Sequence, residues 1–194
     1  MKYLRLTLCA SAAALALGSF AAAPASAQTM MNDSKPVTVG GAPMYASKNI
    51  VQNAVNSKDH TTLVTAVKAA GLVDTLSGPG PFTVFAPTNS AFAKLPKGTV
   101  DTLLKPENKS KLTAVLTYHV VPGRLSANDL MNAAKRDGGQ TRLTTVEGEQ
   151  LTVMAKGNTL TVWDSKGGVS TITIRNVFQS NGVIHVVDKV LLPS

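Results

Sequence analysis

Near residue 140 the hydrophobic period of the chain changes from that of a helix to that of a strand, and this change limits the folds open to it. On the N-terminal side, Ile50, Val51, Ala54 and Val55 share one helical face. Leu63, Val64, Val67 and Ala70 repeat the spacing before Gly71 closes the segment, and Leu72, Val73 and Leu76 predict one further turn. Gly78-Pro79-Gly80-Pro81 then stops all helix, and Phe82-Thr83-Val84-Phe85-Ala86 reads as a buried strand ending at Pro87. Asn89 is placed to cap a short helix carrying Ala91, Phe92 and Leu95. Two more helical pieces are expected over Thr99 to Leu104 and Pro106 to Leu116, the second with proline where a missing amide hydrogen costs nothing. Tyr118-His119-Val120-Val121 is too short and too β-rich to extend that helix, and Pro122-Gly123 ends it. Ser126 and Asp129 have capping-box spacing and open a last helix through Leu130 and Met131.

Beyond Gln140 the alternation is two-fold. Leu151, Val153 and Ala155 alternate with Thr152, Met154 and Lys156, and Gly157-Asn158 is a two-residue hairpin turn. Ile172 and Ile174 alternate likewise, and Ser180-Asn181-Gly182 turns the chain into a nearly continuous apolar strand from Val183 to Leu191. Helices first and antiparallel strands afterwards indicate an α+β domain.

Ahead of this region lie two segments of different character. Lys2 and Arg5, an apolar run from Leu6 to Ala23, and small residues at Ala25-Ser26-Ala27 form a secretory signal peptide over 1–27, with cleavage expected after Ala27. The run is mostly alanine, which inserts into a bilayer less readily than leucine, so no integral span is expected after cleavage. Residues 28–43 are polar and turn-rich and predict a flexible N-terminal arm. Met30, Met31 and Met44 have no histidine beside them and no regular spacing, so copper binding is not inferred. The single cysteine, Cys9, falls inside the leader. An exported chain without cysteine has no disulfides, and its stability rests on a hydrophobic core.

Losing Lys2 and Arg5 takes the 19 basic residues to 17 against 11 acidic ones, a net charge of +6. The basic residues stand singly, without the dense blocks or interleaved aromatics of nucleic-acid binders, so no nucleic-acid partner is expected. A mild positive surface suits an acidic polysaccharide or another envelope component.

Three stretches occur in a distinctive order: Phe82-Thr83-Val84-Phe85-Ala86-Pro87-Thr88-Asn89-Ser90-Ala91-Phe92, then Tyr118-His119-Val120-Val121-Pro122-Gly123, then Ser180 through Leu191. Together they resemble the two homology boxes and the central Tyr-His motif of the fasciclin domain family, a resemblance that covers residues 44–192. It implies a wedge-shaped β-sandwich with helices along one side and a role in adhesion to cells, matrix or envelope.

The resemblance also nominates interaction residues. Tyr118 and His119 occupy the Tyr-His motif that the family ties to cell attachment. Against this, a buried His119 would hydrogen-bond across the core, since buried polar groups need partners, and His185 within its apolar strand reads the same way. Some animal members carry an Asp-Ile pair before the second box as an integrin contact. Asn176 and Val177 stand there in this chain, so the carboxylate is missing and integrin binding is not carried over.

Nothing in the sequence marks an enzyme. His60, His119 and His185 are far apart, none sits in a His-Glu-x-x-His arrangement, and no nucleophile elbow, phosphate loop or dinucleotide fingerprint occurs. No catalytic residue, cofactor or metal ligand is therefore expected. The reading is an exported, monomeric, non-enzymatic module acting on a surface protein, matrix component or acidic polysaccharide. The alternative is a periplasmic or secreted binder of a polyphenol, lipid or sugar in a groove between helices and sheet.

Overall fold

The computed structural model describes residues 36–194, so the expected leader at 1–27 and the start of the expected arm lie outside the described residues. The rest of that arm differs from expectation. Strands β1 (Val37–Val39) and β2 (Ala42–Met44) form an antiparallel hairpin. Its turn is Gly40-Gly41, both at positive φ (59° and 76°), which a two-residue turn of this hand requires. Val39 and Met44 are buried in the core. The ordered domain thus includes residues 37–44, and the Gly-Gly pair was the hairpin signal within the turn-rich composition.

Helices follow where the period placed them. Helix α1 (Ile50–Ala54) opens with a capping box between Asn49 and Gln52. It turns Ile50 and Asn53 inward, whereas Val55, expected on that face, is 51% exposed because the helix has already ended. Helix α2 (Thr61–Ala70) buries Leu63, Ala66, Val67 and Ala70 and stops at a left-handed Gly71. Helix α3 (Val73–Ser77) precedes the Gly-Pro break. Strand β3 (Phe82–Pro87) leads into α4 (Asn89–Ala93), capped by Thr88 rather than Asn89. Short α5 (Thr99–Leu103) and longer α6 (Lys109–Tyr118) come next. Tyr118 is the last residue of α6 and His119 its C-cap, so the helix runs two residues beyond the predicted Leu116 before strand β4 (Val120–Pro122). Helix α7 (Ala127–Arg136) starts with the predicted Ser126/Asp129 capping box.

The second half supplies β5 (Gln140–Thr144), β6 (Gln150–Lys156), β7 (Thr159–Trp163), β8 (Val169–Gln179) and β9 (Gly182–Val187). With β3 and β4 they form one seven-stranded sheet in the order β4-β3-β9-β8-β7-β6-β5. All neighbours are antiparallel except β3 and β9, which run parallel from Phe82↔Gly182 to Pro87↔Val187. Gly182 is required there, because a Cβ at that position would collide with the Phe82 carbonyl.

Strand β8 pairs first with β7 and then with β9, and its register shifts between Ile172 and Ile174 and again between Ile174 and Val177. Such bulges bend a strand and raise its twist. The sheet curls on itself, and a backbone hydrogen bond from Val146 to the Val120 carbonyl ties its two edges together. The result is a near-closed β-sandwich within an α+β domain.

Strands β3 and β9 are covered on both faces, which explains the unbroken apolar run of β9. Val84, Ala86, Ile184 and Val186 face a core shared with α1, α2, α4 and α6. Phe85 and Val187 face a second core inside the curled sheet, with Leu151, Val153, Leu160 and Val162.

Candidate functional site

The Tyr-His motif lies where α6 passes into β4, and neither side chain reaches the surface. Tyr118 is fully buried in the sheet's inner core. Its hydroxyl donates to the Gln150 carbonyl at 3.1 Å and accepts from the Ser165 amide at 3.0 Å. Burial raises its pKa, so the phenol stays protonated. The contact patch expected of Tyr118 is therefore not formed: the side chain ties helix α6 to the loops at one end of β6 and β7.

His119 is buried as well. Its Nδ1 lies 2.7 Å from the Val115 carbonyl, which can only accept, and its Nε2 lies 3.0 Å from the Leu191 amide, which can only donate. These partners fix a neutral ring protonated on Nδ1. Burial in a low-dielectric interior pushes its pKa down to about 4, against the opposing pull of the Val115 carbonyl. The His119 carbonyl accepts from the Phe85 amide at 2.9 Å. One residue thus fastens α6, β3 and the C-terminal segment, as its buried reading required.

His185 is also a core residue. Its Nε2 donates to the Leu125 carbonyl at 2.9 Å, and its ring stacks on Phe85 at 5.9 Å between centroids. Burial lowers its pKa.

Asn176 and Val177 sit in the second irregularity of β8. Asn176 is the non-glycine residue with positive φ (58°) among the described residues, and its Oδ1 accepts from the Ala127 amide at 2.7 Å, satisfying the first turn of α7. Val177 is buried in the core. At this position the chain carries a helix cap and a core residue, not an exposed pair.

The asparagines of the two homology boxes work in the same way. Asn89 accepts from the Thr62 amide at 3.0 Å and donates to the Lys58 carbonyl at 2.8 Å, so it serves the start of α2 instead of its own helix. Asn181 accepts from the Ile50 amide at 3.0 Å, at the start of α1, and donates to the Leu76 and Gly78 carbonyls at the end of α3. Each asparagine sits at a sheet connection and closes a helix end distant in sequence.

One buried residue was not singled out from sequence. His60 is 3% exposed, with Nδ1 2.9 Å from Ser57 Oγ. Burial lowers its pKa. The available signal was its position three, four and seven residues before Leu63, Val64 and Val67, on the apolar face of α2.

Among the described residues, the three imidazoles do not gather with other ligating side chains into a metal-binding group. No helix among those residues is long and apolar enough to cross a membrane.

Comparison with known proteins agrees with this architecture. The fasciclin domain model matches residues 58–193. The chain is 44% identical over 164 residues to protein sll1483 of Synechocystis, covering 84% of each. It is 37% identical over 178 residues to the immunogenic protein MPB70 of Mycobacterium bovis, covering 88% of this chain and 74% of the relative. Among solved structures, a FAS1 domain pair from the insect cell adhesion molecule fasciclin I superposes with a TM-score of 0.66 at 17% identity, over 75% of this chain and 51% of that one. By the match over most of its length and by the hydrogen-bonded frame that the matching motifs build, this chain belongs to the fasciclin domain family.

Proposed function

We propose that this protein is an exported, non-enzymatic surface-interaction module that engages an acidic envelope or matrix polysaccharide through its helical side. The observation that carries the reading is the inward commitment of Tyr118, His119, Asn176 and Val177, which leaves recognition to the exterior. Between Lys94 and Lys111 that exterior holds five lysines against Asp101 and Glu107. Lys94 is held by Asp188, its Nζ 2.8 Å from the Asp188 carbonyl, and Lys105 lies 3.8 Å from Glu107. Lys97, Lys109 and Lys111 are exposed, and they add positive charge around α5 and the start of α6, suited to carboxylated or sulfated sugars. The family's fold, which in the insect protein belongs to a cell adhesion molecule, supports the same reading.

The test is retention of the mature domain on immobilised polygalacturonate and on isolated envelope fractions. Binding should fall as salt rises, because exposed charges are screened beyond about 10 Å at 0.1 M ionic strength. Replacing Lys97, Lys109 and Lys111 together by Glu should lower retention about tenfold or more while leaving stability nearly unchanged. Retention indifferent to both salt and these substitutions would overturn the proposal.

A further inference from the structure

Between helices α1 to α3 and the face of β3 and β9 lies a cavity that offers about 50 Å³ to the centres of water-sized spheres. Its wall is carbon almost throughout, with Met44, Leu63, Val67, Val84 and Ile184 among the residues that line it. The exposed Lys68 borders it.

Two imidazoles also line the cavity, and they differ in one respect. Both nitrogens of His119 are occupied by backbone groups. His60 has Nδ1 on Ser57, whereas its Nε2 is the one buried side-chain nitrogen or oxygen among the described residues without a hydrogen-bond partner. The Ala86 carbonyl is near enough to favour the charged ring, but no acceptor meets Nε2 with hydrogen-bonding geometry. A buried polar atom left this way is placed to pair with a group brought in from outside the chain.

We propose that this cavity is a binding site for a compact apolar molecule bearing one hydroxyl, seated with the hydroxyl on His60 Nε2 and its hydrocarbon body against Met44, Leu63 and Val84. One hydroxyl is the limit, because the lining presents a single unpaired polar atom and a second buried hydroxyl would go unsatisfied. Sugars are excluded on that ground. The size is bounded in the same way. A buried water needs about 10–15 Å³, and an apolar cavity of about 150 Å³ holds benzene. The space therefore takes a short-chain alcohol as it stands, and a single phenol ring when the unbranched Met44 side chain gives way. The inference stands independently of the polysaccharide reading, since the cavity lies inside the domain and the lysines outside it.

The probes are phenol and toluene, nearly equal in shape and differing in the hydroxyl. Titration calorimetry on the native protein should show saturable phenol binding, with toluene about tenfold weaker, the factor expected for one hydrogen bond in a dry site. In ¹⁵N spectra of the imidazoles, phenol should move His60 Nε2 and toluene should not. In His60→Phe, which keeps a ring but no nitrogen, phenol should fall to the level of toluene. If that variant does not fold, the Nε2 response of the native protein decides. Absence of saturable phenol binding, or equal affinity for both probes with Nε2 unmoved, overturns the proposal.

Discussion

His119 shows how a residue nominated for recognition can be a fastening. Truncation to alanine would strand the Leu191 amide and the Val115 carbonyl in the interior and leave a void where the ring packs. Losses of this kind combine an unsatisfied-group cost with a cavity cost, and His119→Ala should lose about 2–4 kcal/mol in urea-induced unfolding. A variant as stable as the native chain would return His119 to the list of contact residues. Tyr118 follows the same logic through Gln150 and Ser165. The sequence made both interpretations of His119 visible and offered no means of choosing between them. A motif is a string, whereas burial depends on what β3 and the C-terminal segment bring to the site.

At the level of elements, the helices and strands were legible because their periods were strong, and the joints between them were not. The capping box at Ser126 and Asp129 was readable because both partners lie within one turn. The service that Asn89 gives to α2, Asn181 to α1 and α3, and Asn176 to α7 spans 27 to 131 positions and leaves no local trace. The hairpin of β1 and β2 was missed because proline and paired glycines also compose loops. Asn176 allows the joint to be tested in two parts. Asn176→Gly keeps the backbone at ease at positive φ but loses the hydrogen bond to Ala127 and gives the unfolded state the extra chain entropy of glycine, a cost of about 1–2 kcal/mol in all. Asn176→Ala also forces a Cβ into the left-handed region and should lose about 2–3 kcal/mol. Equal losses in chemical denaturation would mean that the φ of 58° contributes nothing.

Across the whole molecule, three imidazoles are held neutral by burial, and they act on stability with the same sign. In the unfolded chain each titrates near 6.5, and in the fold each binds its proton more weakly, His119 near 4. As pH falls through 6.5 the unfolded state takes up protons that the folded state refuses, so stability declines, and the decline from His119 is complete once pH is below about 4. That residue alone accounts for up to about 3 kcal/mol across the interval. Urea midpoints measured from pH 7 down to pH 4.5 should fall steadily, and a flat profile would contradict the burial of these rings. The carboxylates of Asp188 and Asp129, whose pKa values are lowered in the fold, add their own loss only at more acidic pH.

The parallel pairing of β3 with β9 governs when the molecule can exist at all. Strand β9, which lies between β3 and β8 in the sheet, is the last strand to leave the ribosome, a hundred positions after its parallel neighbour β3. Until residue 187 arrives, β3 and β8 lack the neighbour between them, and the core shared with the helices lacks Ile184 and Val186. Contacts so distant along the chain form slowly. The sheet is therefore completed only when the final residues are made, however early the helices form.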